Sequence, residues 1–124
     1  MKSCLIHLQS SDSDPSVLEK DLMDSFNVNV IGVVKTINTF MPLIKQSSIK
    51  KVVTITTGMA DPDLVNNFEI DNAAPYAISK SATNMMVAKY NALYKKDGVL
   101  FLAISPGLVD TGHGLREFRP CTCC

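Results

Sequence analysis

Apolar residues recur every three or four positions through the first half of the chain, at Leu18, Leu22, Phe26, Val30, Val33, Ile37, Met41 and Ile44. That spacing puts them on one face of a helix, so one long helix is expected here. Its start is marked chemically. Asp14 can cap, Pro15 suits the first helical position where its missing N–H costs nothing, and Ser16 to Glu19 has the spacing of a capping box. Val28, Ile31 and Val34 add a second apolar flank, as on a helix that lies on a sheet and also meets another helix. Pro42 bends this helix or marks its last turns, and Gln46-Ser47-Ser48 follows as a loop. The pattern then changes period. Val52 to Ile55 is a β-branched run, as expected for a strand with helices over both faces of a parallel sheet. Residues 58–74, rich in Asp and Asn with little periodicity, read as a long loop of the kind that walls a site. A second long helix is expected from Ala73 to about Lys96. Ala77, Met85, Val87, Ala88 and Leu93 supply its apolar surface, Lys95 and Lys96 complement its C-terminal dipole, and Asp97-Gly98 ends it. Val99 to Ile104 is a second apolar strand. The order helix, strand, helix, strand implies an α/β layer with parallel neighbouring strands.

Composition narrows the function classes. With 124 residues, 46% hydrophobic and 19% charged, the chain suits one globular domain, with an irregular tail over 113–124. Twelve basic residues balance twelve acidic ones, so no net field recruits nucleic acid or an anionic membrane, and neither partner is expected. Cys4 stands near the start and Cys121, Cys123 and Cys124 at the end, which is no disulfide framework. The Cys-rich ending lacks the aliphatic pair of a prenylation signal and any histidine cluster, so no lipid or metal is assigned to it. The apolar run near Leu5 is too short for a signal peptide or a membrane span, and a cytoplasmic chain is expected.

The candidate chemistry lies in the second half. Tyr76-Ala77-Ile78-Ser79-Lys80 puts a phenol and an ammonium one helical turn apart, where the cation favours the phenolate and proton transfer near neutral pH. Alone, the pair is common on helices, and a tyrosine packed on the sheet beside a solvated lysine is the ordinary alternative. Upstream, Lys51-Val52-Val53-Thr54-Ile55-Thr56-Thr57-Gly58 is a strand that ends in two hydroxyls. Still earlier stands Phe26-Asn27-Val28-Asn29-Val30-Ile31-Gly32, and downstream comes Pro106-Gly107-Leu108-Val109-Asp110-Thr111 after the last strand.

These four motifs, in this order, resemble the C-terminal half of the short-chain dehydrogenase/reductase family, over about residues 15–112. The resemblance implies a partial Rossmann-like, doubly wound parallel sheet with two long helices. It also implies hydride transfer between a nicotinamide cofactor, NAD or preferably NADP, and a small-molecule carbonyl or alcohol. Tyr76 would be general acid or base, and Lys80 would tune it and hold the cofactor ribose. Thr57 stands where the family has a serine that binds the substrate oxygen; it keeps the hydroxyl but adds a methyl that restricts its rotamer. Thr56 is the alternative, though strand alternation points it to the other side of the sheet. Asn29 would hold a water beside Lys80 in a proton relay; the competing reading is a cap on a local kink. Pro106, Gly107, Val109 and Thr111 would cover the nicotinamide. Ser79 and Ser81 need no role beyond being small, and His113 is assigned none.

The sequence also departs from the family. A glycine-rich turn for the pyrophosphate is missing, the first glycine being Gly32 inside a helix, so weak cofactor binding is expected and the chain reads as truncated. The alternative is a noncatalytic module that self-associates through its two long helices, which resemble the pair that forms the family's dimer contact. A homo-oligomer is expected on either reading.

Overall fold

The computed structural model describes residues 15–107. Asp14, Val109, Thr111, His113 and all four cysteines lie outside the described residues. Helix α1 (Pro15–Phe26) runs through a π-helical segment (Asn27–Gly32) into α2 (Val33–Gln46). The expected long helix is therefore present, but one turn of it is widened. Pro42 falls in its last turns without ending it; the helix closes where the Ser47 N–H bonds the carbonyls of Leu43 and Ile44. Strand β1 (Lys51–Ile55) and strand β2 (Leu100–Ile104) are parallel, with Lys51 opposite Leu100 and Ile55 opposite Ile104. Helix α4 (Ala74–Tyr94) connects them, preceded by the short α3 (Pro62–Asn67). This is the α/β arrangement with a parallel sheet and two long helices that the sequence implies.

The core lies between α2, α4 and the sheet. Ile37 and Met41 of α2, Val87 of α4, and Val99 and Phe101 at β2 form one buried cluster. Tyr90 and Tyr94 stack on Phe101 with ring centroids 5.4 and 6.0 Å away, and the Phe101 N–H donates to Asn91 Oδ1 at 3.3 Å. This corrects the face assigned to α4 from sequence. Met85, Ala88 and Leu93 are exposed, and the packed face is Ser79, Thr83, Val87, Tyr90 and Tyr94. Hydrophobicity misled because the tyrosines carry apolar rings inward and polar tips outward. The Tyr90 hydroxyl donates to Asn38 Oδ1 at 2.7 Å, and the Lys45 ammonium sits 5.0 Å over the Tyr94 ring.

Two further expectations change. Among the described residues helices cover only one face of the sheet, and Val53, Ile55, Leu100, Leu102 and Ile104 leave the other face exposed, Val53 at 52%. The stretch 58–74 is not one loop. A 3₁₀ turn spans Gly58–Ala60, and α3 is nucleated by the Asp61 carboxylate, which accepts from the N–H groups of Asp63 and Leu64, with Pro62 in the first turn. The helix ends after six residues at Phe68, and the chain then passes through the left-handed region at Glu69, with φ 50°. Among the described residues, no helix is long and apolar enough to cross a membrane.

Phe101→Ala is expected to cost about 3–5 kcal/mol, or to abolish the cooperative transition, because it empties the ring stack. Val53→Thr should stay within about 0.5 kcal/mol, since that side chain is open to water; urea unfolding followed by circular dichroism compares them. Burial pushes the Tyr90 phenol above the usual tyrosine range, with the Tyr94 phenol adding to the effect and the Asn38 bond opposing it. A raised folded value means that its contribution is fully present below pH about 10 and is lost as pH rises through that folded value. Urea titrations at pH 8 and 11 should therefore show a steeper loss of stability in the native chain than in Tyr90→Phe.

Candidate active site

Beyond Ile55 the chain stays extended through Thr56, whose N–H bonds the Ile104 carbonyl at 2.9 Å, and Thr57, then turns at Gly58–Ala60, and α4 returns along the sheet from the same end. Ala73, at φ 52°, swings the backbone through the left-handed region into α4, and Pro75 occupies the first turn. Tyr76 follows in that turn, half exposed, and Lys80 lies one turn deeper. The Lys80 ammonium donates to the Ile55 carbonyl at 2.9 Å and lies 5.8 Å from the centroid of the Tyr76 ring. Phenol and cation therefore share a face at the C-terminal end of β1. In sheets of this type that end is where ligands bind.

Thr57 is half-buried, and its Oγ1 accepts from the Met59 N–H at 3.3 Å, capping the 3₁₀ turn. As an acceptor there, the hydroxyl keeps its own proton to donate. Thr56 is buried and its Oγ1 has no partner, which fits the opposite orientation that strand alternation gives the two threonines. Pro106 and Gly107 follow β2 and are exposed, with Gly107 at φ 72°, a conformation that glycine adopts without strain.

Asn29 sits in the π-helical segment. Its Nδ2 donates to Ser79 Oγ at 2.9 Å, and Ser79 Oγ donates in turn to the Tyr76 carbonyl at 2.7 Å. Thr83 Oγ1 lies 3.0 Å from the Asn29 carbonyl and 2.9 Å from the Ser79 carbonyl. The structure thus joins Asn29 to the Tyr76 helix through two hydroxyls that sequence reasoning left without a role. A serine and a threonine four apart on a helix carry no distinguishing signal. Only their burial, at 2% and 0% exposed, sets them apart.

A groove of about 570 Å³ opens between the 58–73 segment and α4, lined among others by Met59, Val65, Ile70, Ala77 and Ile78. Ala74, Ala77, Ile78 and Ser81 recur at helical spacing on that side of α4, whereas Tyr76, Lys80, Thr83 and Val87 follow the opposite face. Neither Tyr76 nor Lys80 lines the groove, so volume alone does not mark the chemistry.

Comparison with known proteins follows the same lines. The family model for short chain dehydrogenase matches residues 8–119. The chain is 55% identical over 100 residues to the short-chain dehydrogenase/reductase AacuF of Aspergillus aculeatus, covering 80% of this chain and 38% of that protein. It is 56% identical over 101 residues to the short chain dehydrogenase virK of Hypocrea virens, covering 82% of this chain and 37% of that one. The short-chain dehydrogenase/reductase iacC of Pestalotiopsis fici is 45% identical over 96 residues, 77% of this chain and 35% of the relative. The chain spans little more than a third of the length of these relatives.

The turn into α4 carries strain that a substitution can relieve. An alanine at positive φ costs roughly 1 kcal/mol, so Ala73→Gly is expected to raise stability by up to about that amount. Urea midpoints of the two chains check it, with no change in far-ultraviolet circular dichroism expected.

Proposed function

Because the chain belongs to the short-chain dehydrogenase family, we propose that it carries the proton-transfer half of an NAD(P)-dependent oxidoreductase that interconverts a carbonyl and an alcohol. The observation that carries this reading is the Tyr76–Lys80 pair at the end of β1, with the ammonium held on the Ile55 carbonyl. The nicotinamide supplies or accepts the hydride when it is bound. Tyr76 gives its phenolic proton to the substrate oxygen in reduction and takes it back in oxidation. Lys80 has three N–H donors and spends one on Ile55, which leaves two for ribose hydroxyls. That donor set fits the nicotinamide ribose, and the exposed Pro106–Gly107 turn would lie against the nicotinamide side, with Val109 and Thr111 completing it. NADP is preferred over NAD. Thr57, with its proton free to donate, orients the same substrate oxygen. Asn29 supports the relay that returns a proton to Lys80 and Tyr76. The substrate is a small carbonyl compound or alcohol of apolar or mixed character.

A second reading has its own support. Phe40 and Leu43 of α2 and Met85 and Leu93 of α4 are large apolar side chains facing water, Leu93 at 68% exposed. Helices with such faces associate, so the chain would act as a self-association module with or without turnover.

Calorimetric titration of the folded chain with NADPH and NADH separates the two. Weak saturable binding, tighter for NADPH and lost in Lys80→Ala, is expected on the oxidoreductase reading. Tyr76→Phe should then keep binding and lower carbonyl turnover by about 10²-fold or more. A folded chain that binds neither nucleotide, yet sediments as a dimer unaffected by Tyr76→Phe, would leave the association module.

A further inference from the structure

The long helix 15–46 keeps ordinary helical winding except at Asn27–Gly32, where it widens to π-helical winding around Asn29. Such a turn has poorer hydrogen bonding than the α-helix on either side, and it persists where neighbouring groups hold it. At its end the Val33 N–H bonds the Val30 carbonyl, three residues back, where regular α winding would pair it four residues back. Thr83 Oγ1, on the most buried side chain described, shares its one proton between the Asn29 carbonyl at 3.0 Å and the Ser79 carbonyl of its own helix at 2.9 Å. Asn29 is gripped a second time through its side chain, since Nδ2 donates to Ser79 Oγ. Ser79 uses one acceptor and its one donor, the latter on the Tyr76 carbonyl, so its hydroxyl is oriented from both sides.

We propose that Ser79 and Thr83 are positioning residues, a two-hydroxyl clamp on α4 that holds the widened turn open and fixes the direction of the Asn29 amide. Thr83 holds the backbone of Asn29 and Ser79 holds its side chain. With Nδ2 committed to Ser79, the plane of the Asn29 amide is set, and a residue of fixed direction is what a place in a relay requires. The clamp also ties that amide to the turn of α4 that bears Tyr76, so phenol and Asn29 keep their register. The functional part of this inference rests on the oxidoreductase reading, in which Asn29 serves the relay; the clamp itself does not.

The test uses the ¹⁵N-labelled chain and follows hydrogen exchange of the Asn29 side-chain amide, assigned by its loss in Asn29→Ala. Ser79→Ala and Thr83→Val are expected to accelerate that exchange, and exchange of the backbone amides of residues 27–33, at least tenfold, with amides of the β1–β2 ladder unchanged. Thr83→Ser, which keeps the hydroxyl, should restore the native rates. Should Thr83→Val fail to fold, Ser79→Ala, which removes a single oxygen, decides. Unchanged exchange in Ser79→Ala, or acceleration spread equally over the ladder, would overturn the clamp. If exchange responds as expected and the calorimetry shows no nucleotide binding, the clamp stands and the relay falls. If nucleotide binds and exchange is unmoved, the reverse holds.

Discussion

Everything that matters in this chain is placed by the two contacts of α4. One strip of the helix, Val87, Tyr90 and Tyr94, lies on Phe101 and the sheet, and the adjacent strip, Ser79 and Thr83, lies against the widened turn of the long helix. Each contact sets a different part of the site. The first brings Lys80 to the end of β1 and the Ile55 carbonyl. The second brings Asn29, some fifty residues earlier in the chain, to the turn that bears Tyr76. The two strips differ in chemistry for a physical reason. Against a sheet, rings fill space and bury apolar area; against another helix at close range, only small side chains fit, and small polar ones must find partners when water is excluded.

A parallel pair with one face covered leaves Val53, Ile55, Leu100, Leu102 and Ile104 open to water, and apolar strands of this kind are ordinarily buried on both sides. The relatives are almost three times as long as the matched region, which leaves ample chain in them to cover such a face. Tyr76 and Lys80 lie on α4 and Thr57 just beyond β1, within the described residues, whereas the sequence contains no glycine-rich turn of the kind that holds a pyrophosphate.

Periodicity and motif order by themselves determined the two long helices, the two parallel strands, the family and the Tyr76–Lys80 pair. Those features depend on spacing along one chain, and spacing is what a sequence displays. The helix at Pro62–Asn67 was also legible, in an Asp-Pro-Asp start at Asp61, but it was lost among loop-forming residues because six positions are too few to show a period. The packed face of α4 was misread because tyrosine counts as polar by one end and apolar by the other. Only the tertiary structure decided the π-helical turn, the bare face of the sheet, and the bonds of Ser79 and Thr83 to Asn29. Each of these depends on which residues meet across 50 or more positions, and the role of a buried hydroxyl is set by the group brought opposite it, which no local pattern records.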